Sequence, residues 1–371
     1  MDISTHPQPI DTASRVQALD VLRLVAVVGV ILYHYGFRGP TAGDITHVAI
    51  PEIGAFAMYG FLGVPAFFVI SGFVIAYSAE GRSATGFAIA RFSRIYPTFL
   101  LCMTLTFLTV VTFGKPDFTT SVSQWLANLP IFAPALHRPY MDSAYWSLVI
   151  EVTFYGWVAL FIATGLFPRR IDALVLGWLC LSMANELTVD ARFMENIFLA
   201  DDAGYFATGL MIYEIYRGRR DLMVFSILGL SVGVAVFHAV HSLAWLRSHS
   251  GTAFDSWIVA AICLTSIVAI FLATRIGKFP LPPALTAAIG GITYPLYLLH
   301  QQIGYTIFIW LAPANARIAV AAIVLGVVLL SWMIWKYIEP PLHAAVKTTL
   351  TTWAKRAGRP VKLGLSGNSR P

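Results

Sequence analysis

Residues 18–36 read ALDVLRLVAVVGVILYHYG, an apolar run with Asp20 and Arg23 near its start and His34 near its end. About 20 such residues cross a bilayer as one helix. A long polar lead precedes the run, Arg23 sits inside it, and no small-x-small cleavage site follows. It therefore reads as an uncleaved first membrane helix rather than a signal peptide. Similar runs recur as far as Tyr337. Across all 371 residues, 57% are apolar and 12% charged, with a mean hydropathy of +0.72. A soluble chain carries about 25% charged residues, so half of a soluble surface is missing. Three cysteines exclude a disulfide scaffold, and the apolar content excludes disorder. Cys102, Cys180 and Cys263 all lie in apolar runs and read as small buried hydrophobes. The class that remains is an all-α polytopic membrane protein.

Ten helices are expected, at about 18–37, 56–78, 95–114, 144–167, 170–187, 203–217, 222–241, 254–275, 286–311 and 316–337. The sixth is the shortest. Trp125–Leu136, broken by Pro130 and Pro134, reads as an interfacial segment. With the N-terminus inside, every even-numbered connection is basic. The opposite side keeps only Arg38, Lys115, Arg138, Arg192, Arg247 and Arg317 of the 25 Lys and Arg residues. That asymmetry is the positive-inside pattern. It predicts a multi-pass membrane protein with both termini in the cytoplasm. Residues 1–345 form one membrane domain without an internal repeat, and 346–371 are expected as a basic, disordered cytoplasmic tail on the anionic leaflet.

Charges inside a bilayer cost about 2.5–3.5 kcal/mol each even on the lenient insertion scale, so each one marks a candidate site. Arg23 and His34 are eleven residues apart, which at about 100° per residue returns them to within about 20° of one face, roughly 16 Å apart along the axis. Asp20 lies one turn before Arg23 on nearly the same stripe. Either Arg23 snorkels to the inner interface beside Asp20 while His34 anchors the outer one, or the three line a polar path. In GFLGVPAFFVISGFVIAYS (60–78), Gly63 and Gly72 permit close helix approach, and Ser71 either bonds back to a carbonyl or faces such a path. Arg91 and Arg94 share one side of a helix start; topology alone explains them, and so does phosphate binding by forked guanidinium groups. Glu151 sits about two turns inside the fourth helix, near Trp146 and Ser147. Trp146 suits an interfacial belt, whereas a lone carboxylate in lipid needs a partner. His300, Gln301 and Gln302 put polarity near mid-membrane, to glue helices or to line a cavity. His6, His47, His137, His241, His249 and His343 fall in loops or at helix ends and read as solvated.

LDVLRLVAVVGVILYH, GVPAFFVISGFVI, RFSR, YWSLVIEVTFY, GGITYPLYLLH and YIEPPL, in that order over about 18–342, resemble the type-3 membrane acyltransferase family. Two positions depart from its usual pattern. No Arg stands between Glu339 and Pro340, and Pro65 replaces a common acidic residue. The chain looks like the short members, without a hydrolase-like domain. The resemblance implies transfer of an acyl group, usually acetyl, from cytoplasmic acyl-CoA to a hydroxyl of a surface carbohydrate or glycolipid. It implies no bound cofactor, no metal and no nucleic acid. His34 becomes the expected general base and Glu151 its orienting or proton-assisting partner. Arg23, Arg91 and Arg94, with Ser71, Trp146 and His300, are then expected to bind acyl-CoA or substrate, supported by Asp20 and Tyr297. Intramembrane Arg, His and Glu also occur in transporters, so a flippase for a lipid-linked sugar is the competing expectation.

Overall fold

The computed structural model describes residues 16–41, 51–276, 280–311 and 315–363. His6 and His47 lie outside them. Among the described residues the chain is helical, without a β-strand. All ten expected helices are present: α1 (Gln17–Tyr33, continued by a π-helical turn His34–Arg38), α2 (Gly63–Ala79), α3 (Ala84–Phe113), α4 (Trp146–Ala163), α5 (Ile171–Ala184), α6 (Ala203–Tyr216), α7 (Leu222–His241), α8 (Ser256–Ile276), α9 (Pro283–Leu311) and α10 (Ala316–Met333). Among the described residues, eight helical stretches are long and apolar enough to cross a membrane; α6 and α9 are outside that set. The protein is an all-α, multi-pass membrane protein.

The short α6 has a physical explanation. Every residue from Ala203 to Ile215 is buried, enclosed by α2, α5, α7 and α8. At about 1.5 Å per residue it is roughly 21 Å long, and being apolar on all sides it is a core helix of the bundle. Gly72 and Gly209 make its contact with α2 possible. A Cβ on Gly209 would lie 2.1 Å from the Val69 carbonyl oxygen, and one on Gly72 would lie 2.3 Å from that of Phe206. Gly209→Ala should therefore destabilise the protein by about 1–3 kcal/mol. Gly156→Ala, where a Cβ meets nothing within 4 Å, should not. Melting temperatures in detergent compare the two, and equal values would rule out this tight packing.

Apolar packing falls into two large clusters. One joins α2, α4, α5, α6, α7 and α8; the other joins α3, α9 and α10; α1 and α4 contribute to both. The polar cavity described below lies between them. The expected interfacial segment forms two short pieces, Val122–Asn128 and a 3₁₀ turn Ala133–Leu136. Cys102 and Cys263 are buried as expected, but Cys180 is exposed, facing away from the bundle on α5.

The expected disordered tail is corrected in part. A further helix, α11 (Glu339–Arg356), follows α10 and packs along α3. Pro340 and Pro341 suit its first turn, the Ala, Lys and Leu residues that follow are good helix formers, and Lys355 and Arg356 complement its C-terminal dipole. Beyond it, Ser83 Oγ donates to the Pro360 carbonyl at 2.9 Å and accepts from Lys362 N at 3.0 Å. The C-terminal end of the described residues thus lies with the α2–α3 turn. Residues 364–371 are outside the described residues. At the same end, Arg219 holds Asp172 at 2.7 and 2.9 Å and Asp221 at 3.0 Å. Asp221 also caps α7, and its bonds from Arg219 pull its pKa down to about 2. The stability it adds is present above the unfolded value near 4 and lost as pH falls through about 2.

Candidate functional site

Helices α1, α2, α3, α4 and α9 enclose a cavity of about 460 Å³. Asp20, Arg23, Arg91 and Arg94 line one end of it, at the same end of the bundle as the α2–α3 turn. Arg23 Nη1 donates to Asp20 at 3.1 Å, and Asp20 is only 1% exposed. The three-residue spacing of Arg91 and Arg94 puts both guanidinium groups on the cavity side of α3. Between them Ser93 packs inward, while Phe92 stacks on Tyr96 at 4.7 Å. Arg91 Nε is buried without a hydrogen-bond partner among the described residues. A buried orphan donor is costly, and an anionic ligand at this mouth would relieve it.

Further in, the walls carry Ser71, Glu151, Tyr155 and Tyr294. Ser71 Oγ donates to Glu151 Oε1 at 2.8 Å, and the Tyr155 hydroxyl, one helical turn along α4, donates to the same oxygen. Glu151 thus finds its partners across α2 and on its own helix. The expected contact between Glu151 and His34 is not made; the side-chain partner of His34 is His300. The lining ends at Ser147, Tyr297 and Leu298, where the Tyr297 hydroxyl bonds Ser147 Oγ at 2.7 Å and donates to the Ala144 carbonyl at 3.0 Å.

The histidine pair lies just past Tyr297. His300 Nδ1 is 2.7 Å from the Tyr297 carbonyl oxygen, and His300 Nε2 is 2.9 Å from His34 Nδ1. A carbonyl can only accept, so His300 carries its proton on Nδ1 and offers a bare Nε2. His34 then donates from Nδ1, and its Nε2 becomes the basic nitrogen. This is the arrangement that prepares an imidazole to take a proton. His300 is completely buried, while His34 is partly exposed. Tyr305 donates to the His34 carbonyl at 3.1 Å, and the Tyr35 hydroxyl donates to that of His300.

Not every expected site residue belongs here. Trp146, the first residue of α4, is 45% exposed, packs edge-on against Phe68 and is absent from the cavity lining. It is Ser147, the next residue, that turns inward. Gln301 donates to Ser143 Oγ at 2.5 Å, and the backbone N–H of Gln302 donates to Asp142 at 2.8 Å. These residues tie α9 to the segment before α4 and do not line the cavity. Tyr155, Tyr294 and Asp142 were not anticipated. Tyr155 was within reach, four residues after Glu151 on one helix face. The other two owe their place to tertiary packing.

Comparison with known proteins fits this geometry. The family model described as "Acyltransferase domain" matches residues 16–336. A relative named as membrane-bound transacylase BcsY, from Komagataeibacter xylinus, is 26% identical across 86% of this chain and 82% of its own length. O-acetyltransferase OatA of Staphylococcus aureus is 24% identical across 88% of this chain, which spans 57% of OatA. Acyltransferase MdmB of Streptomyces mycarofaciens is 28% identical across 54% of this chain and 52% of its own. No solved structure matches the chain. A family match that takes in all five helices of the cavity and both histidines leaves one assignment: the chain belongs to the type-3 membrane acyltransferase family.

Proposed function

We propose that this acyltransferase moves an acyl group, acetyl in the first instance, from cytoplasmic acyl-CoA to a hydroxyl of a carbohydrate or glycolipid at the far face of a bacterial plasma membrane. The observation that carries this reading is a basic mouth at one end of a polar cavity and, just beyond Tyr297 at its other end, a histidine of defined tautomer. The basic connections lie at the mouth, so the positive-inside pattern turns that end to the cytoplasm. Arg91, Arg94 and Arg23 there grip the CoA phosphates by charge-assisted bonds. The pantetheine arm runs up the cavity, past Ser71 and Glu151, to Tyr297. The roughly 16 Å rise from Arg23 to His34 is of the same order as that arm. Tyr297 swings aside to bring the thioester to the histidine pair.

His34 Nε2 takes the proton of the acceptor hydroxyl as its oxygen attacks the thioester carbon. The C–S bond breaks, the ester forms, and the histidinium returns its proton to the departing thiolate. His300 holds the His34 ring and its tautomer. Ser71, anchored by Glu151, shapes the path of the acyl chain. The relatives named as transacylase and O-acetyltransferase support group transfer to oxygen.

The test is direct. Purified protein in liposomes, given radiolabelled acetyl-CoA and a panel of surface-glycan acceptors, should release free CoA and label an acceptor. A flippase would consume no acetyl-CoA, and absence of consumption with every acceptor would sink the proposal.

A further inference from the structure

A second cluster of ionisable groups lies at the end of the bundle opposite the arginine mouth, and acyl transfer makes no use of it. Glu186 stands in the turn Asn185–Val189 after α5, Asp201 in the turn Ala200–Asp202 before α6, and His238 and His241 in the last turn of α7. One ligand atom each from Glu186, Asp201 and His238 falls within 4.8 Å of the others. His241 Nε2 lies 2.8 Å from the second carboxylate oxygen of Glu186, so this histidine, expected as merely solvated, is engaged.

The protons decide what the cluster holds. His238 is 5% exposed, and its Nε2 is 3.1 Å from Ser182 Oγ. Ser182 gives its single proton to the Ala200 carbonyl at 2.5 Å, so its oxygen must accept from His238 Nε2–H. Nδ1 of His238 is then a bare lone pair facing the Glu186 carboxylate, with Oε2 at 3.7 Å. Acceptor faces acceptor. A proton on Nδ1 would find the Glu186 oxygen beyond hydrogen-bond range. A metal ion, about 2.0–2.2 Å from each donor, satisfies all three. The chain from His238 through Ser182 to Ala200 is also what a metal-bound imidazole needs on its other nitrogen.

We propose that Glu186, Asp201 and His238, with His241 at the rim, bind a divalent transition-metal ion of the zinc type. A donor set of imidazole and carboxylate favours zinc over magnesium or calcium, which prefer all-oxygen shells. Ligand atoms around one tetrahedral zinc lie roughly 3.3–3.6 Å apart, so side-chain rotation closes the site. The ion would fasten both turns of the α5–α6 connection to the last turn of α7.

The experiment uses tag-free, full-length protein in detergent, stripped with chelator and titrated with Zn²⁺ by calorimetry, with bound metal counted by mass spectrometry. Wild type should bind one Zn²⁺ per chain, undisturbed by millimolar Mg²⁺. Glu186→Gln and Asp201→Asn should each weaken binding at least tenfold, and Ser182→Ala by about 10- to 100-fold. Asp201 is exposed, so its variant keeps the test valid even if Glu186→Gln folds poorly. Zinc binding by wild type no tighter than by Asp201→Asn, or equal competition by Mg²⁺, overturns the proposal. Neither result bears on acyl transfer.

Discussion

Replacing His34 with alanine should lower acyl transfer by about 10²–10⁴-fold, the usual span for a lost general base, while leaving insertion and folding intact. The partly exposed ring makes one side-chain hydrogen bond, to His300, and edge contacts with Tyr33 and Tyr305, so its loss opens little of the core. The chemistry suffers more, because the basic nitrogen left on the pair would be Nε2 of His300, whose ring is completely buried and held by the Tyr297 carbonyl through Nδ1. A His34→Ala protein that elutes as a single species and still turns over within threefold of wild type would refute the base assignment. His300→Ala tests the positioning role separately. It removes the hydrogen bond that orients His34, worth about 0.5–1.5 kcal/mol, so kcat should fall about 2- to 12-fold. KM for acyl-CoA should hold, and the pH profile should move because the His34 tautomer is no longer fixed. A merely structural role for His300 would leave that profile in place.

The second large effect concerns the mouth. A hydrogen bond to a charged group contributes about 1.5–3 kcal/mol, so Arg91→Ala and Arg94→Ala should each raise KM for acetyl-CoA by about 10- to 150-fold, with kcat much less changed. Acetyl-pantetheine, which lacks the nucleotide phosphates, separates phosphate recognition from simple misfolding. Wild type and both variants should use it equally poorly. Arg138→Ala, on an exposed loop at the other end, should change nothing. If Arg91→Ala and Arg94→Ala keep a normal KM for acetyl-CoA, the arginines mark membrane topology only.

Much of this was legible in the sequence because a bilayer leaves few choices. Apolar runs must become helices, and a charge within them must find a partner. Hence the ten helices, the Asp20–Arg23 pair and the cavity-facing Arg91 and Arg94 follow from local spacing. What spacing cannot show is which distant side chains meet. Glu151 bonds Ser71 from 80 residues away, and His300 reaches His34 from 266, so the Glu151–His34 pairing that depth in the membrane suggests is not the one that forms. Trp146 and Ser147 are neighbours that a one-residue rotation sends to opposite environments. The end of α11 was read as disordered from its basic, Gly- and Ser-containing neighbourhood, although its own residues are helix formers. The His238 cluster is invisible to local spacing because two turns of the α5–α6 connection meet the end of α7 only through packing.

Tyr297 closes the cavity between the arginine mouth and His34. Without such a plug, a polar bore from one face to the other would short-circuit the ion gradient that energises the cell. The ring is therefore expected to be a seal as well as a wall: Tyr297→Ala should make proteoliposomes leak protons even where acyl donors are absent, and vesicles as tight as wild type would refute it.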